Sequence, residues 1–200
     1  MMFKKKDEKE IFWKWFLRNQ TDLEKFISSE NRNYPVYNEL TKQLKKFNDL
    51  LFPEITIDKE NNFILIITPD GIRDGVNPTI EIVKSAPNIK GWKIKKFRQA
   101  SDIISLNFKG LQFKYDDIKI WRYFVLEENR VDISVLIKNY DEKDNRYISL
   151  AFLYLDHILG EYNVLTRVGE INFLGWDQLN DKIESVELLT LRKEIEEKLY

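Results

Sequence analysis

The chain has 200 residues, of which 43% are hydrophobic and 14% aromatic, so it can bury a substantial core and is not disordered. Its 32 basic and 33 acidic residues nearly cancel, which leaves no global field to hold a polyanion or to steer an acidic substrate. The absence of cysteine excludes disulfides, thiolate nucleophiles and cysteine-based zinc or iron–sulfur sites.

The beginning of the sequence bears on the cellular compartment. It reads MMFKKKDEKE and leads into the aromatic FWKWF, without an apolar core followed by a cleavage site. This pattern is not typical of a signal peptide, and no stretch approaches the roughly 18 apolar residues of a membrane span. We therefore expect a cytoplasmic protein with no membrane association.

Residues 7–51 carry apolar side chains at the spacing of amphipathic helices. A capping-box pattern from Thr21 to Glu24 divides the first stretch and predicts a second, short helix there. The predicted apolar faces comprise Ile11, Phe12, Trp15 and Phe16 in the first helix, and Tyr37, Leu40, Leu44, Phe47 and Leu51 in the last.

A continuous strand–turn–helix–strand pattern follows. Odd- and even-numbered residues of 63–68 are both apolar, which predicts a strand covered on both faces. Before it, apolar and polar residues alternate over 55–57, which predicts an edge strand with one face in water. Pro69-Asp70-Gly71 is a turn sequence. Asn77-Pro78 reads as the N-cap and first residue of a helix, and 92–97 returns to extended structure.

The second half repeats this order. Residues 118–126 and 130–137 predict a hairpin, and 146–159 a largely buried helix that ends at Gly160. Strand character resumes at 162–168. One further short strand is predicted near 111–115 and strand continuation at 171–174. We expect Ile66, Ile133 and Phe152 to meet in the core.

The predicted class is therefore α+β, a mainly antiparallel or mixed sheet built from two β-β-α-β units. A single domain over 1–200 comprises a helical part at 7–51, a sheet with two long helices at 54–175 and a C-terminal helix at 185–200.

Three phrases, ITPDGI, SAPNIKGWKIKKFR and LDHILGEYNVLTRVGEINF, resemble in their order and spacing an uncharacterised family of small soluble bacterial proteins, a domain of unknown function. The resemblance covers about 60–175 and implies a soluble bacterial α+β domain, but no activity. The polar and aromatic residues that stand out within the matched phrases are the candidate binding residues Asp70, Trp92, Arg98 and Glu161, and the candidate catalytic residues Asp156, Glu161 and Arg98.

Most cofactor and metal chemistry is disfavoured. The single histidine, His157, cannot support a zinc site without cysteines, and no P-loop, dinucleotide fingerprint or nucleophile elbow is present. Oxygen ligands from Asp70, Asp156 and Glu161 could hold Mg²⁺ or Ca²⁺, but acids in turns are more often caps. We expect no metal and no cofactor.

We also expect no nucleic-acid partner. Residues 90–98, KGWKIKKFR, begin and end like an RNA-recognition strand, but Lys93, Ile94 and Lys95 interrupt its interior. Alternation would send Trp92 to the core, whereas stacking on bases requires exposed rings.

Two functions remain. The favoured one is a non-catalytic binding or protein-interaction domain of adaptor or immunity type. The alternative is a small-molecule enzyme in which Asp156 or Glu161 acts as the base and Arg98 binds an anion. We further predict a positive φ at Gly160, and a contact between Glu161 and Arg98 that offsets an acid placed at a helix C-terminus.

Overall fold

The structure, a computed structural model, describes residues 7–30, 34–102 and 105–200. Contacts divide the chain into two compact units, Met1–Phe97 and Arg98–Tyr200. The predicted α+β class is confirmed, with N-terminal helices, a C-terminal helix and mixed sheets. The strands lie in three sheets instead of one continuous sheet. A single domain over 1–200 stays a prediction, since compactness alone does not separate domains.

The described part of the first unit contains a three-stranded sheet and three α-helices. The sheet has the order β1-β2-β3, with β1 antiparallel to β2 and β2 parallel to β3. The parallel pair requires a crossover, which a short 3-10 turn and α3 supply. The elements are α1 (Glu8–Ser28), α2 (Tyr34–Phe47), β1 (Phe52–Ile57), β2 (Phe63–Thr68), α3 (Val76–Lys84) and β3 (Trp92–Lys96).

Helix α1 is continuous, so the predicted break at Thr21 is wrong. The side chain of Asp7 caps the helix by accepting from the Lys9 N–H, at 3.1 Å. Leu23 and Phe26 are buried in the second half of the helix, and their burial sustains it through the capping-box sequence. Burial of the apolar face therefore outweighs the local capping signal.

Helix α3 begins at Val76, before the predicted N-cap Asn77. The 3-10 turn Arg73–Gly75 leads directly into it. Gly75 packs so closely that a Cβ there would lie 2.4 Å from Pro69 Cβ. The chain therefore enters the helix at the glycine, because only a residue without a side chain fits against the turn after β2.

The second unit repeats the topology of the first. Its main sheet has the order β6-β7-β8, antiparallel and then parallel, with helices connecting β7 to β8. The predicted repetition of β-β-α-β is confirmed. The elements are β4 (Ser105–Phe108), β5 (Leu111–Lys114), β6 (Ile118–Val125), β7 (Arg130–Ile137), α4 (Arg146–Leu159), α5 (Glu161–Thr166), β8 (Val168–Gly175) and α6 (Leu188–Lys198).

Helix α4 has the predicted bounds and is largely buried as predicted, but Phe152, which we expected in the core, is not buried. Phe152 is 41% exposed and contacts the ring of Phe173, with centroids 5.2 Å apart. Ile133 is buried as expected, whereas Ile66 is half-buried and belongs to the first unit's sheet. The predicted Ile66–Ile133–Phe152 core is therefore wrong. The buried residues of α4 are Leu150, Ala151, Tyr154, Leu155, Ile158 and Leu159.

The predicted strand at 162–168 is wrong, because this segment forms α5. Val164 and Leu165 are buried there, and the Thr166 hydroxyl donates to Tyr162 O at 2.7 Å. A run of β-branched and aromatic residues thus adopts a helix when its apolar side chains fit the core at helical spacing. The strand follows as β8. None of the described helices is both long and apolar enough to span a membrane.

Helix α6 is joined to β6 by an ion pair. Arg122 Nε donates to Glu194 Oε2 at 2.5 Å and its Nη2 donates to Oε1 at 2.9 Å. The hydrogen bond from Arg122 lowers the pKa of Glu194 below the ordinary 4.5. Because the pKa falls on folding, this stabilisation is present above the ordinary value and is lost as pH falls through the folded value.

We therefore expect Glu194→Gln to reduce the loss of stability on acidification below about pH 4.5. Urea unfolding at a series of pH values measures this slope. Glu196→Gln, which removes an exposed acid from the same helix, serves as the control. Equal slopes for wild type and Glu194→Gln would show that the pair does not titrate with folding.

Candidate functional site

Arg98, Asp156 and Glu161, the three candidate catalytic residues, lie together in the second unit. Arg98 Nη1 is 3.6 Å from Glu161 Oε1 and 3.9 Å from Asp156 Oδ2. Asp156 lies in the last turn of α4, Glu161 opens α5, and Arg98 begins the unit. The predicted contact between Glu161 and Arg98 is confirmed.

Backbone groups strengthen this contact. The Arg98 N–H donates to Glu161 Oε2 at 3.0 Å, and the Glu161 N–H donates to Arg98 O at 3.1 Å. The side chain of Glu161 is fully buried, whereas those of Arg98 and Asp156 remain 25% and 18% exposed. The peptide N–H and the guanidinium of Arg98 therefore both hold the Glu161 carboxylate.

The same region caps the C-terminus of α4. A helix leaves its last four carbonyls without intrahelical donors, and cations near this end offset the partial negative charge of the dipole. Here each of the four finds a donor, two from side chains and two from backbone. The acceptors are Asp156 O from Gly160 N (3.0 Å), His157 O from Ser101 N (2.7 Å), Ile158 O from Arg192 Nη1 (3.2 Å) and Leu159 O from Asn163 Nδ2 (2.9 Å).

Gly160 joins the two helices at this point. Its φ of +82° confirms the predicted positive value, while ψ of 138° places it outside the left-handed helical region that the prediction assumed. A Cβ at this position would lie 3.1 Å from Ala100 N. The joint thus needs glycine both for its backbone conformation and for the close approach of the segment after Arg98.

We expect Gly160→Ala to lower the free energy of unfolding by roughly 1–3 kcal/mol. Gly110→Ala is the matched control, because Gly110 has the same φ of +82° but a Cβ there would meet no atom within 4 Å. Denaturant unfolding of both variants compares a positive-φ glycine that packs against Ala100 with one where a Cβ would lie in open space. A loss at Gly160 no larger than the loss at Gly110 would contradict the need for glycine at the joint.

The arrangement of these groups is better suited to capping than to catalysis. A general base must reach a substrate proton, and Glu161 is buried with its oxygens on Arg98. Two carboxylates, those of Asp156 and Glu161, lie within 4 Å of Arg98 Nη1 and offset the positive charge that an anion would need. The ionic cluster of Arg98, Asp156 and Glu161 therefore anchors the α4–α5 joint.

The other two candidates, Asp70 and Trp92, belong to the first unit. Asp70 is an exposed turn residue with φ of 50° whose N–H donates to the Thr68 hydroxyl at 2.9 Å. Trp92 is 7% exposed, stacks on Phe63 and donates through Nε1 to Glu24 at 2.8 Å.

The lysine that follows Trp92 is already paired with acids. Lys93 Nζ is held by Asp58 at 2.7 Å and Glu60 at 3.0 Å, so its charge is offset. Within the described ranges, no group of three or more histidine, cysteine, aspartate or glutamate side chains is placed to hold a metal ion.

A surface that the sequence patterns did not single out lies on the second unit's sheet, on the face opposite its helices. This outer face carries Trp121 and Tyr123 of β6, Ser134 of β7 and Asn172 of β8, with Ile183 beside them. Alternation alone indicates it: in IKIWRYFV, residues 118 and 120 are core isoleucines, so both 121 and 123 point outward.

The outer face has a shallow groove of about 210 Å³. Tyr123 is 70% exposed and Ile183 is 47% exposed at its rim. Trp121 is half-buried, and its Nε1–H is shielded from solvent without an acceptor in the described chain. Large aromatic side chains thus occupy a part of the sheet face that none of the unit's described α-helices covers.

Comparison of the chain with known protein families, with curated proteins and with solved structures found no match. The physical arrangement of the residues is therefore the basis for the functional proposal.

Proposed function

We propose that the protein is a non-catalytic protein-interaction domain, of adaptor or immunity type, that acts in the bacterial cytoplasm. The observation that carries the proposal is the outer face of the β6-β7-β8 sheet, on which Trp121 and Tyr123 stand together. Tryptophan and tyrosine dominate the binding energy of protein interfaces, because they bury large areas and lose few degrees of freedom.

The indole of Trp121 supports a binding role energetically. A shielded N–H without an acceptor costs about 1–3 kcal/mol, and most native side chains avoid this cost. The free chain therefore carries an unfavourable term at Trp121. Because the N–H is shielded from water, a partner's carbonyl or carboxylate reaches it only if the indole turns on binding, and the new hydrogen bond would then remove this cost.

The remaining features agree with binding rather than catalysis. The Glu161 carboxylate is buried and engaged by Arg98, so of the two candidate bases of the alternative enzyme mechanism only Asp156, which is 18% exposed, remains in contact with water. The buried ring of Trp92 and the paired Lys93 give little basis for stacking on nucleic acid. The sequence resemblance to small soluble bacterial proteins is consistent with the proposed setting.

Site-specific photocrosslinking in a lysate of the organism that encodes the chain tests the proposal. A benzophenone amino acid replaces Tyr123 in the full chain, and the matched control carries it at Tyr34, which is 56% exposed in the first unit. We expect one protein partner to crosslink at 123 and not at 34. Purified wild-type protein should compete with this adduct.

The second arm uses Trp121→Ala in the crosslinking chain. Its adduct should fall at least tenfold while the thermal unfolding transition remains cooperative. An absence of adducts at 123, adducts identical at both positions, or an adduct insensitive to Trp121→Ala would contradict the proposed surface.

A further inference from the structure

The strand β8 forms an open edge of the second unit's sheet. It is last in the order β6-β7-β8, and residues 170–175 form no backbone–backbone hydrogen bond except with β7 in the described chain. An edge of this kind presents unpaired N–H and C=O groups to any extended chain that approaches it.

The hydrogen bonds at the opposite edge of the sheet, on β6, determine which way the backbone groups of β8 point. At the outer side of β6, the Ile120 N–H donates to Val186 O at 2.8 Å and the Val186 N–H donates to Ile120 O at 2.9 Å. Ile120 therefore has no backbone group directed at β7. Its neighbour across the antiparallel ladder, Val135, must point its own groups towards β8.

The parallel register then identifies the groups at the open edge. Val135 lies opposite Phe173, so it bonds with the residues on either side, Asn172 and Leu174. The N–H and C=O of Phe173 point away from β7, as do those of Ile171 two residues earlier. We call these groups of Ile171 and Phe173 the β8 edge.

The other sheet edges carry features that discourage pairing with a further strand. Strand β1 contains Pro53, which has no N–H to donate, and β3 carries Lys93, Lys95 and Lys96. The outer edge of β6 is occupied at its centre by Val186. Of the main-sheet edges in the described chain, the β8 edge alone has neither proline, lysine nor a bridging segment.

A cleft at the end of β8 indicates what kind of segment fits. It has a volume of about 690 Å³ and lies between the loop 140–143 and the end of the strand. Phe173 and Leu174 line it, so the β8 edge runs into it. Its charged residues are three acids and one base, namely Asp141, Glu142, Asp177 and Lys143.

We infer that an extended segment of a protein partner adds as a strand to the β8 edge and places a lysine or arginine in the adjoining acidic cleft. The inference rests on the proposed protein-binding function and names the chemistry of its partner. Backbone hydrogen bonds to Ile171 and Phe173 supply affinity, and the cleft selects the basic side chain.

A second copy of the chain fits less well. Two β8 strands paired antiparallel would bring the N-terminal half of one strand to the cleft of the other. That half carries the exposed acid Glu170 shortly after Arg167, so its charge is mixed, and Glu170 would be repelled by the three acids of the cleft. Charge complementarity therefore favours a basic segment of another protein.

The experiment selects from a random nine-residue peptide library on the full-length protein and then measures amide hydrogen exchange with the recovered peptides. In the free protein, the amides of Ile171 and Phe173 should exchange faster than those of Asn172 and Leu174. Recovered peptides should contain lysine or arginine and slow exchange at Ile171 and Phe173 at least tenfold. Methylation of alternate peptide nitrogens should weaken binding at least tenfold.

A matched pair of variants tests the cleft. The double change Glu142→Gln and Asp177→Asn should lower the affinity for the basic peptides at least tenfold. Glu170→Gln, at the other end of β8, should leave this affinity within twofold of wild type. Recovery of no peptide, no enrichment of basic residues, unchanged binding after N-methylation, or loss on Glu170→Gln alone would overturn the inference. Protection of Ile171 and Phe173 that rises with protein concentration alone would assign the edge to self-association and overturn it too.

These outcomes are distinct from failure of the proposed function. A partner that crosslinks at position 123 but leaves the amides of Ile171 and Phe173 unprotected would retain the binding function and refute strand addition. Basic peptides that protect these amides, with no adduct at 123, would support strand addition and refute the role of the outer face.

Discussion

Replacing Glu161 by alanine should lower the free energy of unfolding by about 3 kcal/mol. The carboxylate is fully buried and accepts from the Arg98 N–H at 3.0 Å, beside the Arg98 guanidinium. Its removal leaves a peptide donor without its acceptor and a partly buried cation without its nearest counter-charge. Urea unfolding followed by circular dichroism measures the effect.

Asp156→Ala is the control for this prediction. Asp156 is 3.9 Å from Arg98 and 18% exposed, so it offers a weaker and partly screened interaction. We expect a loss of about 0–1 kcal/mol, as for an ordinary exposed pair. Equal losses for the two variants, or a neutral Glu161→Ala, would contradict the anchoring role of Glu161.

Replacing Leu155 by alanine should cost about 2–5 kcal/mol, because the side chain is 1% exposed within the core of the second unit. Phe152 lies on the same helix but is 41% exposed. It stays in partial contact with water, so we expect Phe152→Ala to cost about 1 kcal/mol, well below the value for a buried ring. Thermal and urea unfolding of both variants compare the two faces of α4.

A larger loss for Phe152→Ala than for Leu155→Ala would contradict this burial and place Phe152 in the core, as the sequence analysis predicted. The pair is informative because a phenylalanine deletion removes more atoms than a leucine deletion. Leu155→Ala is therefore the more destabilising change only if burial, and not side-chain size, determines the loss of stability.

The repeated β-β-α-β order was predictable because period-2 and period-3.6 patterns are strong in 118–137 and 146–159. The failures arose where a local pattern competes with tertiary burial. The capping box at Thr21 is overridden by the buried Leu23 and Phe26, and the β-prone 162–168 forms α5 because Val164 and Leu165 fill the core. Periodicity around α4 was broad enough to leave its exact buried face open.

The candidate site was only partly accessible from sequence. Placing an acid after a helix C-terminus implied a compensating cation, and this argument correctly joined Glu161 to Arg98. It could not reveal that the Arg98 backbone would also bond the carboxylate, since that depends on the close approach of the chain at Gly160. The β8 edge was not predictable, because local patterns of hydrophobicity do not determine the order of strands in a sheet.

The affinity of the crosslinked partner for two variants tests the central claim, that the protein binds through its second sheet and uses the ionic cluster only for structure. Isothermal titration calorimetry compares Tyr123→Ala with Glu161→Gln at a temperature where both are folded. We predict that Tyr123→Ala weakens binding at least tenfold with an unchanged melting temperature, and that Glu161→Gln melts earlier but binds within twofold of wild type. Strong loss of binding on Glu161→Gln, with Tyr123→Ala unaffected, would contradict the claim.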